Sequence, residues 1–130
     1  MLCLVGWARA RARVRPLRPS AELDAAAEQK AEAITACDEF SHTPCGRPFR
    51  SFFERAGYAR SRPWSTAEVL AFGSRRLVSA RQVFRLWLAS PVHRTNLLVS
   101  DWRDVGVALV WAGDGPNAEA TWVVDLGRRR

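Results

Sequence analysis

Two stretches near the C-terminus constrain the fold most. Asp104-Val-Gly-Val-Ala-Leu-Val-Trp111 alternates in strand fashion, with Val105, Val107, Leu109 and Trp111 on one face and smaller residues on the other. Ala120-Thr-Trp-Val-Val-Asp-Leu126 reads as a second strand, and Gly113-Asp-Gly-Pro-Asn117 between them is a turn signal. The pair predicts an antiparallel hairpin that is polar on neither face. Both faces must therefore be covered, and the helical patterns upstream are enough to supply two layers.

At 130 residues the chain is one domain, 1–130, long enough for one good core. A hydrophobic fraction of 48% with six Trp argues against disorder, and no apolar run approaches a membrane span. The net charge of +7 is almost all arginine, Lys30 being the sole lysine. Arginines gather at the ends: Arg9, Arg11, Arg13, Arg15 and Arg18 at one, and a basic tail, Arg128 to Arg130, at the other. An alternate-residue run wraps around a helix instead of forming one stripe with interleaved aromatics, which argues against a nucleic-acid reader. Solvation, or weak attraction to anionic wall polymers or headgroups, accounts for it more simply.

Residues 2–14 predict a first helix with Leu2, Val5, Ala8 and Ala12 sharing a face and arginines outside. Ser20 opens the clearest helix, with Glu22 and Asp24 in its first turn and Leu23, Ala27, Lys30, Ile34 and Cys37 on one stripe. Phe40 should plug the core, and His42 follows in a turn-rich loop bracketed by Cys37 and Cys45. A bridge between those two would close a short loop and stabilise by roughly 2–3 kcal/mol on the chain-entropy model. It requires an oxidising compartment. The opening Met1–Trp7 has neither the charged flank nor the apolar length of a signal peptide. Either the pair is reduced in a cytosol, or the chain begins downstream of its export signal.

Pro48 starts a third helix with Phe49, Phe52, Phe53 and Ala56 as its apolar face, stopped at Gly57. Residues 59–67 read as a loop. Glu68, among small and apolar neighbours, is either a buried carboxylate needing a partner or an exposed acid on a short helical turn. Ser79-Ala-Arg-Gln82 is a capping box opening a helix that buries Trp87. Ser90-Pro91 begins another, placing His93 in a first turn whose amides favour a neutral, ligand-capable imidazole; a locally packed histidine is the plainer alternative.

Three segments, Phe40-Ser-His42, Ala67-Glu-Val-Leu-Ala-Phe-Gly73 and Trp87-Leu-Ala-Ser-Pro-Val-His-Arg-Thr-Asn-Leu-Leu98, resemble the bacterial CAP domain. That superfamily unites cysteine-rich secretory proteins, insect antigen 5 and pathogenesis-related plant proteins. The resemblance spans essentially the whole chain. It implies an α+β fold, a three-layer α-β-α sandwich with a central antiparallel sheet. It also implies a cleft lined by two histidines and two acids, which bind zinc or another divalent cation in some relatives. His42, Glu68 and His93 match three of those positions. The second acid falls on Ser90, a poor zinc ligand; the family's Glu-Asn becomes Glu68-Val69; and the usual Asn of the first helix becomes Gly6. The family is mostly secreted, which favours the missing-signal reading and the Cys37–Cys45 bridge.

The function this implies is a secreted or envelope-associated monomeric binding module whose cleft (His42, Glu68, Ser90, His93) engages a small molecule, lipid, wall polymer or peptide, with a divalent metal on His42 and His93. The alternatives are a metal-assisted, peptidase-like hydrolase with Glu68 as general base, and a structural domain whose cleft has degenerated.

Overall fold

The computed structural model describes residues 1–60, 63–115 and 118–129. Helix α1 spans Leu2–Arg11, strand β1 Arg18–Pro19, α2 Ala21–Cys37, α3 Phe49–Arg55, strand β2 Trp64–Ser74, α4 Ala80–Ala89, α5 Pro91–Leu98, β3 Asp104–Ala112 and β4 Glu119–Arg129. The strand order is β1-β3-β4-β2. The hairpin β3–β4 is antiparallel, as its alternation requires, and β2 adds to β4 antiparallel along its whole length. The two-residue β1 pairs parallel with β3, so the sheet is mixed.

Pleating divides the side chains into two sets. Val69, Val105, Val124 and Leu126 meet Val5 and Ala8 of α1, Val83 and Trp87 of α4, and Leu97 of α5. Their strand neighbours Leu70, Ala108 and Val123 pack on Ala27, Ala31 and Ile34 of α2. Leu23 and Ala26 of α2 join Phe52, Phe53 and Tyr58 in a cluster beside this layer. Helices therefore cover both faces, the three-layer α+β arrangement expected.

Several local expectations are revised. Helix α1 stops at Arg11, and Arg13 takes a left-handed φ of 55°. Its arginines are not all outside: Arg9 is fully buried. Phe40 does not plug the core; it is 53% exposed and rests on the Phe72 ring, 5.8 Å between centroids. The chain has left α2 through a left-handed Asp38, which turns Phe40 along the sheet instead of beneath it. The segment 59–67 is not all loop, since β2 begins at Trp64; Ser61 and Arg62 lie outside the described residues. Arg128 and Arg129 are no tail, because they pair with Ser65 and Trp64. Arg130, and Pro116 and Asn117 of the hairpin turn, lie outside the described residues. Ser20 and Ser79 cap α2 and α4 as their spacing predicts, whereas Ser90 stands at the N-cap of α5 without a side-chain capping bond.

One glycine decides how closely α2 approaches the sheet. A Cβ on Gly106 would lie 2.1 Å from the Leu23 carbonyl carbon. With that hydrogen in place, Asp24 Oδ1 reaches the Val107 amide at 2.8 Å and caps the outer side of β3 beyond β1.

Candidate functional site: an oriented imidazole over a buried charge cluster

Glu68 is on β2, not on a helical turn, and its side chain is 1% exposed. Even positions of β2 face α2, so its carboxylate enters the layer that holds Lys30, the one cation on the buried stripe of α2. Lys30 Nζ is fully buried and donates to Glu68 Oε1 at 3.2 Å and to the His42 carbonyl. It also lies 4.2 Å from the centroid of Phe52, a cation–π contact. Burial pushes the Lys30 pKa down, against the pull of Glu68 and Asp125.

Asp125 is the neighbour the sequence did not reveal. It sits opposite Glu68 across the β2–β4 ladder and is completely buried. Desolvation first, and then the Glu68 charge, raise its pKa well above the ordinary Asp value. Both Asp125 oxygens and Glu68 Oε2 have no bonding partner if each acid is ionised. With one proton on Asp125, that acid can donate to Glu68, which pairs one oxygen of each acid and removes their like-charge repulsion. The buried set Lys30⁺, Glu68⁻ and neutral Asp125 then carries no net charge, as a dry site demands.

His42 closes the cluster from outside. Its Nδ1 is 2.6 Å from Glu68 Oε1, its side chain is 56% exposed, and its ring meets the edge of Phe49. A carboxylate on Nδ1 selects the tautomer that keeps the proton there, leaving Nε2 as a free acceptor. The loop carrying His42 is tethered by the Cys37–Cys45 disulfide and by the Cys45 amide on Glu39. Cys3 is a free, exposed thiol.

The structure thus brings His42 and Glu68 together and adds Lys30 and Asp125. Ser90 and His93 stand at the start of α5; His93 is half-buried, with its Nδ1 unpartnered. Among the described residues no group of three His, Cys, Asp or Glu side chains is spaced to hold a metal ion. Glu68 Oε1 is already shared between an ammonium and an imidazole, which disfavours it as a metal ligand.

A second concavity, of about 550 Å³, lies between α1 and α4 on the other side of the sheet. Leu4, Trp7, Phe84 and Leu88 line it, with Arg81 and Arg85.

The Cysteine-rich secretory protein family (CAP) profile matches residues 3–126. The chain belongs to this family. Among solved structures, this CAP domain is similar to an outer surface protein from Borrelia burgdorferi, at 22% identity and a TM-score of 0.81, over 99% of this chain and 90% of that one. It is also similar to an extracellular protein containing an SCP domain from Bacillus anthracis, at 16% identity and a TM-score of 0.70, covering 97% of this chain and 38% of the other. A cysteine-rich secretory protein from Staphylococcus aureus matches at 16% and 0.68, over 96% and 36%. At these identities the likeness concerns the fold. Comparison with curated protein sequences finds no match. No helix among the described residues is long and apolar enough to cross a membrane.

Proposed function

We propose that this CAP domain is a binding module of the cell envelope, and that its His42 cleft takes a hydroxyl-rich wall polymer. The observation that supports this is the imidazole fixed by Glu68 with Nε2 free. A neutral Nε2 accepts from a hydroxyl or amide, and the half-exposed Phe40 and Phe72, with the partly buried Phe49 beside the loop, offer apolar faces to the rings of a sugar. An envelope location agrees with the disulfide and with the extracellular or outer-surface character of the similar proteins.

The test is calorimetric titration of the oxidised protein with soluble wall-glycan fragments, and separately with zinc, using wild type, His42→Ala and His93→Ala. Glycan binding lost in His42→Ala supports the reading; no glycan binding, or binding indifferent to His42, defeats it. Zinc binding lost in both variants would instead restore a divalent cation on His42 and His93, and with it the metal-assisted hydrolase.

A second reading rests on the groove between α1 and α4. Its apolar walls and two arginines suit an anionic amphiphile. Trp7, 55% exposed, reports on it, so quenching of Trp7 emission by a brominated fatty acid, diminished in Arg81→Glu/Arg85→Glu, is the expected signature.

A further inference from the structure

Strand β3 is paired on one side only over most of its length. The two-residue β1 reaches Asp104 and Val105 and no further, while β4 runs along the other side as far as Ala112. Main-chain direction alternates along the strand. The Val105 carbonyl accepts from the Ser20 amide on the β1 side, and two residues on the Val107 amide donates outward to Asp24 Oδ1 at 2.8 Å. The same parity turns the amides and carbonyls of Leu109 and Trp111 outward, together with the Val107 carbonyl. Among the described residues no main-chain or side-chain group bonds them on that side.

Helix α2 overhangs this edge with acids. A concavity of about 250 Å³ lies between Asp24 and Glu28 of α2 and residues 107–110 of β3. Glu28 and Glu32 are exposed, one turn apart on the same side of α2, and neither forms an ion pair among the described residues. The only basic residue of α2, Lys30, is buried with Glu68, so the helix does not neutralise them. Four helical residues rise about 6 Å, close to the ~6.8 Å between alternate residues of a strand. On the other face of the sheet, the half-buried Val107 and Leu109 and the 44% exposed Trp111 present apolar side chains.

We propose that the open edge of β3 docks an extended peptide segment of a partner protein in which basic and apolar residues alternate. Added antiparallel, that segment sets two residues opposite Leu109 and Trp111 and exchanges both main-chain bonds with each. The side chains of those two residues fall on the Leu109 face, so they are apolar. Their neighbours point toward α2, so they are Lys or Arg against Glu28 and Glu32. A second copy of this chain is a poorer occupant, because pairing β3 with β3 would set two acidic rows side by side. The edge lies across β4 from β2 and Glu68. It is therefore independent of the His42 cleft, and either proposal can fail alone.

The probe is an end-capped peptide of about seven residues, alternating lysine and valine. It is titrated at low salt into the oxidised, nitrogen-15-labelled full chain and followed by NMR. Saturable shifts should centre on the Leu109 and Trp111 amides, and hydrogen exchange at both should slow. Glu28→Lys/Glu32→Lys changes exposed side chains only, so it should fold and weaken binding about tenfold. Methylating the valine nitrogens of the peptide blocks the donors that face β3 and should abolish binding; methylating the lysine nitrogens, which face away, should not. The proposal is overturned by the absence of a saturable shift at these two amides, or by binding that survives valine methylation or persists undiminished in folded Glu28→Lys/Glu32→Lys. Equal binding of a peptide with its lysines and valines in separate blocks overturns it as well, since charge alone would then suffice. So does a free protein that is dimeric with both amides already protected, which would give the edge to a second copy.

Discussion

Replacing Lys30 with Met tests the buried cluster directly. Met keeps the unbranched stem over Phe52 and removes only the charge and the donors. The ammonium is 3.2 Å from Glu68 Oε1, and the two side chains are 0% and 1% exposed. At an effective dielectric near 20 their attraction is about 5 kcal/mol, against a desolvation cost of several kcal/mol for each ion. The intact pair is thus close to break-even. The single variant is not, because it leaves Glu68 ionised in a dry layer beside Asp125. Lys30→Met should cost about 3–5 kcal/mol, a large part of the 5–15 kcal/mol typical of a domain. Glu68→Gln should cost a similar amount by stranding the ammonium. The double variant Lys30→Met/Glu68→Gln should cost less than the sum by about 2–3 kcal/mol. The assay is urea unfolding of the oxidised protein at pH 4 and 7. A Lys30→Met loss under 1 kcal/mol at pH 7, or strict additivity in the double variant, would refute the account of a charge-balanced core.

Other consequences can be checked with the same assay. Asp125 has a raised folded pKa, so it favours the folded state below the unfolded Asp value and loses that contribution as pH rises through the folded pKa; Asp125→Asn should therefore gain on wild type between pH 4 and 7, and a constant difference would contradict this. Gly106→Ala should cost at least about 3 kcal/mol, since its Cβ meets α2 backbone and not a movable side chain; an unchanged melting temperature would show that α2 does not approach so closely. Cys37→Ser opens a cross-link of sequence separation 8 and should cost about 2.5 kcal/mol, and the His42 imidazole signals should broaden in NMR as the loop loosens; sharp signals would mean the Glu68 contact alone holds the ring. Glu22 has a pKa lowered to about 2, chiefly by its bond with Ser20 and then by the backbone and Arg129; its contribution is present above the ordinary Glu value and fades as pH falls toward 2, so Glu22→Gln should flatten that acid limb, and only weakly because the side chain is 39% exposed.

Much of the architecture was legible because it depends on local pattern. Alternation without a polar face at 104–111 and 120–126 required a hairpin covered on both sides, and that is how β3 and β4 lie. Ser20, Ser79 and Pro91 marked helix starts through chemistry confined to a few neighbouring residues. His42 and Glu68 were legible as candidates through the family resemblance, and the short spacing of Cys37 and Cys45 suggested their bridge. What failed depended on partners far along the chain. Phe40 has the composition of a core residue, but its place was set by the left-handed turn at Asp38 and by Phe72. Arg128 and Arg129 looked like a tail because their partners, Ser65 and Trp64, lay in a stretch read as loop. The periodicity of α2 put Lys30 on the buried stripe without saying why a lysine belongs there. That reason appears only when β2 and β4 align Glu68 with Asp125 beneath it. Likewise nothing around Arg9 distinguishes it from Arg11 and Arg13 until α5 supplies the carbonyls of Leu97 and Val99. Periodicity and capping are properties of neighbours in sequence, so the chain alone determined its elements and layers. Burial of a charge is a balance between desolvation and distant partners, so only the tertiary structure decided where the ionised groups of this protein lie and what they can bind.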